Sequence, residues 1–461
     1  MNHAATLLVG ACVFASAVVA RPLRAEGDAA FAIRDSLLAS LVGEALDNNP
    51  ALKAAREAAA AARSRPAQAR SLPDPMFVVS YTNDGVSPTL GSRDMTTLAF
   101  MWGQELPYSG KRGLRGDFFL RAADQADQQV ERVKLGLTAA VEHAYYDLLV
   151  SRELLELVQE QEEIWRQTEG IVRARYAVGR GSQQDVLRSQ VEVVRIERMR
   201  IERETEAEIQ VAEINQLLGR PAGTPLATEA RLVLRSVDES MELLLARLEA
   251  SSPELNSAAL GVSRSKLGVE LARKEYRPDF ALQGGYMNRG GLDPMWVAGV
   301  GISIPLYRER LESGLAEAQS QTRSGEQLVE WLRLMLRFRT EERLAQLEAT
   351  AEIAGLYRDG ILPQDRLAVD AAMASYQTGQ VPFVTVLEAL TTLYDDLATH
   401  LQVLANHAKI RASLEEASLE QTTSLTIGGV TSPAVGTSMS TMAGAMSGDG
   451  TASRSGSMTN R

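Results

Sequence analysis

The spacing of apolar positions changes several times along the chain, and each change predicts a different element. Residues 36–70 carry an Ala-rich helical pattern that stops at Leu72-Pro73-Asp74-Pro75. Met76 to Tyr81 and Thr96 to Leu106 then follow a period of two, which predicts two strands. The Gly/Ser/Pro-rich link Asn83 to Gly91 separates them, and Pro107 closes the second. No proline occurs between Pro107 and Pro221. Across that interval Val130, Val133, Leu137, Val141, Ala144 and Leu148 recur at steps of three or four, the packing stripe of a helix. A helix from about Gly113 to Val178 makes a rod of about 100 Å at 1.5 Å per residue. Gly179-Arg180-Gly181-Ser182 breaks it, and Ser182 can cap a return helix that reaches Leu218.

After Gly219-Arg220-Pro221 the pattern is mixed, with a short strand predicted at Leu232 to Leu234. Helical spacing resumes from about Met241 to Lys274. Strands follow at about Asp279 to Met287 and Pro294 to Leu306. A second helical hairpin turns at Thr378-Gly379-Gln380-Val381-Pro382. Val386, Leu390, Leu393, Leu397, Leu401 and Leu404 mark its return arm, and Pro363 should kink its descending arm.

The same programme has therefore run twice. Tyr176-Ala-Val-Gly179 with Asp185-Val-Leu187 returns as Tyr376-Gln-Thr-Gly379 with Thr385-Val-Leu387, 200 positions later. Asn49-Pro50-Ala51-Leu52 returns as Ser252-Pro253-Glu254-Leu255, 203 positions later. A unit of about 200 residues is duplicated, so residues 26–235 and 236–421 are expected to be two structural repeats related by pseudo-symmetry.

Composition narrows the class. Of 461 residues only 5% are aromatic, and Ala, Leu, Glu, Gln and Arg dominate the middle, as in long helices. A net charge of −11 argues against a nucleic-acid partner, which needs clustered Lys and Arg. Residues 1–25 read as an export signal: Ala4 to Ala20 is apolar but too short to span a bilayer, and small residues follow. The sole cysteine, Cys12, lies within that stretch, either as an ordinary signal residue or, in Val9-Gly-Ala-Cys12, as an acylated anchor. Residues 422–461 are Ser, Thr, Gly and Met with almost no charge, and are expected to be a disordered tail.

The strands have the length that a tilted strand needs to cross a bilayer. Tyr81, Phe100, Trp102, Tyr286 and Trp296 mark them, and Tyr108 and Tyr307 stand just past their proline ends. From the strands alone, an interfacial aromatic girdle and a soluble sheet capping a helical domain are equally open. The helical hairpins favour the membrane. Four strands in lipid leave two open edges, which hydrocarbon does not tolerate, so the sheet must close with sister chains. Three copies supply twelve strands around a shared axis, with the rods extending the lumen beyond the bilayer.

No catalytic constellation stands out, which argues against an enzyme. Of His3, His143, His400 and His407, the last two share a helix face but lie about 10 Å apart along the axis, too far to hold one metal. No His/Cys metal spacing occurs, so neither a metal site nor a cofactor is expected. Met439, Met442, Met446 and Met458 can be read as soft-metal ligands or as bias in a tail. Gly179-Arg-Gly181 lacks the strand–helix context of a nucleotide loop.

Over roughly residues 36–420 the chain resembles the TolC-type outer-membrane efflux proteins. The carrying motifs are Asn49-Pro50, Leu72-Pro-Asp-Pro75, Gln104-Glu-Leu-Pro107 with Gly110-Lys-Arg112, Tyr176-Ala-Val-Gly179, and Val386-Leu-Glu-Ala389 with Thr391-Thr-Leu-Tyr394. The Gln-Glu-Leu-Pro and Gly-Lys-Arg stretch looks most like the CzcC/CusC branch, which exports heavy-metal cations. The resemblance implies an α+β membrane protein: a homotrimer whose 12-stranded outer-membrane β-barrel continues into a long periplasmic α-helical barrel. It implies passive export of small molecules or metal cations, with a periplasmic adaptor and an inner-membrane pump, expected to be of RND type, as partners. A periplasmic coiled-coil scaffold or adaptor is the alternative.

The resemblance also places a gate at the periplasmic helix ends. Asp185 and Tyr376 fall where the family forms inter-helix bonds, and Thr385 and Glu388 where it places acidic rings. Only Glu388 keeps the charge, and Val381 stands where some members carry arginine. Three copies of Glu388 around a narrow axis would draw cations; the bland reading is a solvated helix-face Glu. Asp185 can equally be an early-helix acid favoured by the dipole. The tips Gly179, Arg180, Gly181, Gly379 and Gln380 would meet the adaptor, although glycine also simply ends helices. Tyr81, Trp102, Tyr286 and Trp296 would mark the lipid interface.

Overall fold

The computed structural model describes residues 36–90, 93–228, 230–234 and 240–415. The expected export signal with Cys12, the boundary between the repeats at residue 235 and the expected tail lie outside them. The first repeat runs α1 (Ser36–Asn48), α2 (Pro50–Arg70), β1 (Met76–Thr82), β2 (Thr97–Leu106), α3 (Lys111–Ala177) and α4 (Gln183–Leu218). The second runs α5 (Met241–Ser251), α6 (Pro253–Lys274), β3 (Asp279–Arg289), β4 (Leu292–Ser303), α7 (Arg308–Leu356), a π-helical turn (Tyr357–Ile361), α8 (Leu362–Thr378) and α9 (Phe383–Glu415). Element for element, the duplication in the sequence is a duplication in the fold.

Two details depart from the predicted helices, and both have local causes. The helix expected over residues 36–70 is broken at Asn49, whose side-chain oxygen accepts from the N–H groups of Ala51 at 2.8 Å and Leu52 at 3.3 Å. Pro50 follows at the first helical position, where its missing N–H costs nothing and its fixed φ suits the turn. The second repeat breaks at the equivalent place: Ser252 Oγ accepts from Leu255 N–H at 3.3 Å, and Pro253 follows. The kink expected at Pro363 takes the form of the π turn just ahead of it. Proline cannot donate to the preceding turn, and the wider turn removes the need.

α3, at 67 residues, forms a rod of about 100 Å. It packs along α2, α4, α6 and α9, while α7 lies against α6 and α9. Three apolar clusters run along this bundle. One joins α1, α2, α3 and α4 through Leu41, Leu52, Tyr145, Leu148 and Ile214. A second, toward the hairpin tips, gathers Trp165, Val172, Ile196, Tyr376, Phe383 and Val386. The third links α5, α7 and α9 through Leu244, Leu336 and Ile410. The strand expected at Leu232–Leu234 does not form. Leu232 instead turns into the first cluster, and its N–H donates to Glu153 Oε1 at 2.9 Å rather than to a neighbouring strand.

The four strands make one antiparallel sheet in chain order, with β1 and β4 at its edges. Sheet and rods meet at a buried amine. Lys111, 1% exposed at the start of α3, sends its Nζ to Asp279 Oδ2 at 2.9 Å at the start of β3. Asp279 Oδ1 accepts from the Tyr108 N–H at 2.6 Å, so one carboxylate of the second repeat holds the strand–helix corner of the first.

Candidate channel gate and membrane-facing sheet

The hairpin tips are built alike. At the end of α3, Gly179 N–H donates to the Tyr176 carbonyl at 2.9 Å and Arg180 N–H to the Arg175 carbonyl at 2.9 Å. At the end of α8 the pairs are Gly379 to Tyr376 at 3.0 Å and Gln380 to Ser375 at 2.9 Å. Gly179 and Gly379 take φ of 74° and 79°, the left-handed conformation this helix stop requires. Gly179, Arg180, Gly379 and Gln380 are exposed, and Gly181 is half-buried. Ser182 caps α4, its Oγ accepting from Asp185 N–H at 3.1 Å.

Above the tips, Tyr376 is buried within the second cluster, its ring 5.6 Å from that of Phe383, which in turn meets Trp165 edge-on at 6.5 Å. Among the described residues the buried Tyr376 hydroxyl has no hydrogen-bond partner. Burial raises the phenol pKa and the Asp185 carboxylate raises it further, while Arg175 opposes them. The structure thus brings Asp185 and Tyr376 into one electrostatic neighbourhood without an inter-helix bond between them. Arg175 was not legible as a site residue. Its guanidinium lies 4.4 Å from the Tyr376 ring centroid, donates to the Tyr376 carbonyl, and reaches the Arg180 carbonyl at 3.2 Å. The one signal pointing to it is a break in the repeat, where the matching position holds Ser375.

Thr385 and Glu388 lie one turn apart near the start of α9. Thr385 is half-buried, with its N–H donating to Pro382 O at 3.1 Å, and Glu388 is exposed. Val381 packs against the second cluster, so the position that could have carried an arginine serves the tip's core.

In the sheet, register decides what the sequence left open. Opposed residues share a face. Val79, Phe100, Tyr286 and Trp296 therefore form one row across all strands, and Phe77 and Trp102 begin the next. Tyr286 and Trp296 touch, with centroids 4.9 Å apart. Tyr81 lies toward the β1–β2 link and holds it, donating to Thr89 O at 2.6 Å. Trp296 is 78% exposed and Trp102 37%. The other face carries Ser80, Thr97, Ala99, Gly103, Gln283, Gly285, Gly299 and Ser303. One face is aromatic and aliphatic; the other mixes these small and polar residues with Val78, Val297 and the methionines Met76, Met101, Met287 and Met295.

His143, His400 and His407 serve packing. His143 Nε2 lies 2.9 Å from Ser413 Oγ, His407 Nδ1 is 3.1 Å from Thr350 Oγ1, and the ring of His400 lies against Tyr357 at 6.0 Å. Among the described residues no group of three or more His, Cys, Asp or Glu is arranged to hold a metal, and no helix is long and apolar enough to cross a membrane.

A duplicated unit that pairs a small edge-open sheet, apolar on one face, with long helical hairpins defines a subunit of a membrane-anchored tunnel. The outer membrane efflux protein family matches residues 41–220 and 244–418, one block in each repeat, and the chain belongs to that family. It is 23% identical over 377 residues to outer membrane protein TolC of Vibrio cholerae, covering 78% of this chain and 85% of the relative. To the cobalt-zinc-cadmium resistance protein CzcC of Cupriavidus metallidurans it is 24% identical over 353 residues, covering 73% and 79%. Its fold is that of CusC (TM-score 0.70, 18% identity, 83% of this chain and 92% of that one). The same holds for VceC of Vibrio cholerae (TM-score 0.70, 19% identity, 83% and 96%). The protein is an outer-membrane channel subunit of a tripartite efflux system, with four strands per chain in a trimeric barrel. Its partners in such a system are a periplasmic adaptor and an inner-membrane pump.

Proposed function

We propose that the row Val79, Phe100, Tyr286 and Trp296 meets lipid, that the opposite face, which carries the sheet's small and polar residues and no aromatic ring, lines the lumen, and that the hairpin tips close the tunnel on its periplasmic side. The observation that carries this is the two-faced sheet with bare edges at β1 and β4. Apolar residues facing out and polar residues facing in are what a barrel in hydrocarbon needs. Tyr81, Trp102, Tyr286 and Trp296 belong to the outward face by register and serve as its interfacial aromatics.

At the tips, Asp185, Tyr376 and Arg175 form the intrachain part of the gate. Three exposed Glu388 carboxylates, with Thr385 beside them, form its cation-drawing ring. The exposed turns at Gly179, Arg180, Gly379 and Gln380, with Gly181, receive the adaptor. The pump is of RND type and the cargo includes metal cations. Similarity to CzcC, whose name specifies cobalt, zinc and cadmium resistance, supports the cargo. The test is to purify the chain from outer membrane in detergent, determine its subunit number and record conductance in planar bilayers. A trimer with unitary currents is expected; a water-soluble monomer overturns the reading. Deletion should sensitise cells to divalent metals, and unchanged growth on metal plates removes the metal cargo.

A further inference from the structure

Where the sheet gives way to the rods, the side chains along the aromatic face change character in a fixed order. Its last row is apolar: Leu106 opposes Phe280, and Phe280 opposes Ile302. Ile304 and Leu306 extend it beyond β4, at 65% and 74% exposed. Three tyrosines stand next along the chain, Tyr108 after β2, Tyr276 ahead of β3 and Tyr307 after β4. Cations cover two of them. Lys274, the last residue of α6, holds its Nζ 5.4 Å from the Tyr108 ring centroid. The Arg308 guanidinium, at the first position of α7, lies 5.8 Å from the Tyr276 centroid. Arg277 precedes β3, and Arg310 shares an open groove at the start of α7 with Tyr307, Arg308, Glu309 and Ser313.

This band is not neutralised from within. Glu275 and Asp279 are taken by Lys111 and Arg115. Among the described residues no carboxylate pairs with Lys274, Arg277, Arg308 or Arg310, and the groove sets two guanidiniums against one carboxylate. The chain as a whole carries −11, so these cations run against its trend. Apolar, then tyrosine, then cation is the order of hydrocarbon, interface and headgroup phosphate across one leaflet.

We propose that Lys274, Arg277, Arg308 and Arg310 form a collar that binds the phosphates of anionic phospholipid in the periplasmic leaflet. The rings of Tyr108 and Tyr276 hold two of the cations at headgroup depth, and the trimer repeats the collar around its axis. The inference rests on the proposed reading that the Phe100 and Trp296 face meets lipid.

The experiment exchanges the full-length trimer into micelles holding equal amounts of phosphatidylglycerol and phosphatidylcholine, then counts retained lipids by native mass spectrometry. The wild type is expected to retain phosphatidylglycerol in preference. Replacing all four cations by glutamine should cut that preference about fivefold per cation removed, while the wild-type current persists. Where the fourfold variant yields no trimer, Arg277→Gln/Arg310→Gln, which leaves both tyrosine contacts in place, is read the same way. The charge-keeping Lys274→Arg/Arg308→Lys variant should retain the preference. A wild type that carries current yet retains the two lipids equally overturns the proposal and leaves the channel standing. An undiminished preference in the glutamine variants also overturns it, assigning the lipid to other cations. A wild type without current overturns instead the channel reading beneath it.

Discussion

The guanidinium of Arg175 stands over the ring of Tyr376, 4.4 Å from its centroid, and donates to that residue's own carbonyl. A third contact reaches the Arg180 carbonyl, so one side chain of α3 holds both hairpin tips. A Cβ added at Gly379 would also come within 3.5 Å of this guanidinium. The repeat offers no second copy of the link, because Ser375 occupies the matching position.

Arg175→Ala should therefore loosen the tips. A partly desolvated cation–π pair contributes about 1 to 2 kcal/mol, and each 1.4 kcal/mol shifts a two-state ratio about tenfold. Single-channel recordings should show a larger open population. Arg175→Lys should recover only part of the closed population, since an ammonium lacks the planar fork that reaches several acceptors. Identical open populations in wild type and Arg175→Ala would free the tips from any part in gating.

Glu388→Gln should lower the preference for cations over anions in reversal-potential measurements, without changing trimer stability. The side chain is exposed, so its replacement leaves no buried polar group behind. A reversal potential that does not move would take Glu388 out of the narrow part of the tunnel.

The neighbours Val79 and Ser80 point to opposite faces of β1. Arginine at a lipid-facing mid-membrane position costs about 2 to 4 kcal/mol. Val79→Arg should reduce the yield of heat-resistant trimer in the outer-membrane fraction, whereas Ser80→Arg should leave the yield near wild type and alter conductance. The reverse ranking would exchange the two faces.

Asp365 on α8 and Asp396 on α9 stand side by side. Burial, and then the neighbouring carboxyl, raise the Asp365 pKa. A folded value above the unfolded one means that the folded protein retains a proton the unfolded chain releases. The stabilisation is full below the ordinary Asp range near about 4 and is lost as pH rises through the folded value. The melting temperature of the trimer should therefore fall as pH is raised from acidic toward neutral. Asp365→Asn should flatten that slope, and a variant with the wild-type slope would show that the pair does not titrate in this range.

Much of the architecture was readable because local chemistry sets it. The interval without proline and its stripe from Val130 to Leu148 define α3, and the Gly179 and Gly379 stops define both tips. The splits at Asn49 and Ser252 were written there too, as a capping residue before proline, but the helical spacing on both sides concealed them. Leu232 misled because an apolar triplet looks the same whether it enters a ladder or a core. The faces of the sheet were not readable. They depend on pairing Phe100 with Tyr286, 186 positions apart, and no local pattern encodes that register. Arg175 was hidden for the same reason, since its role exists only once two hairpins from different repeats lie together.

The bare edges of β1 and β4 carry a consequence for the cell. Among the described residues a lone subunit has a row of unmated peptide groups on either flank, and oil offers them nothing. Membrane entry is therefore open only to the completed ring. A surplus of single chains leaves the permeability barrier intact, because a partial pore has no stable place in it.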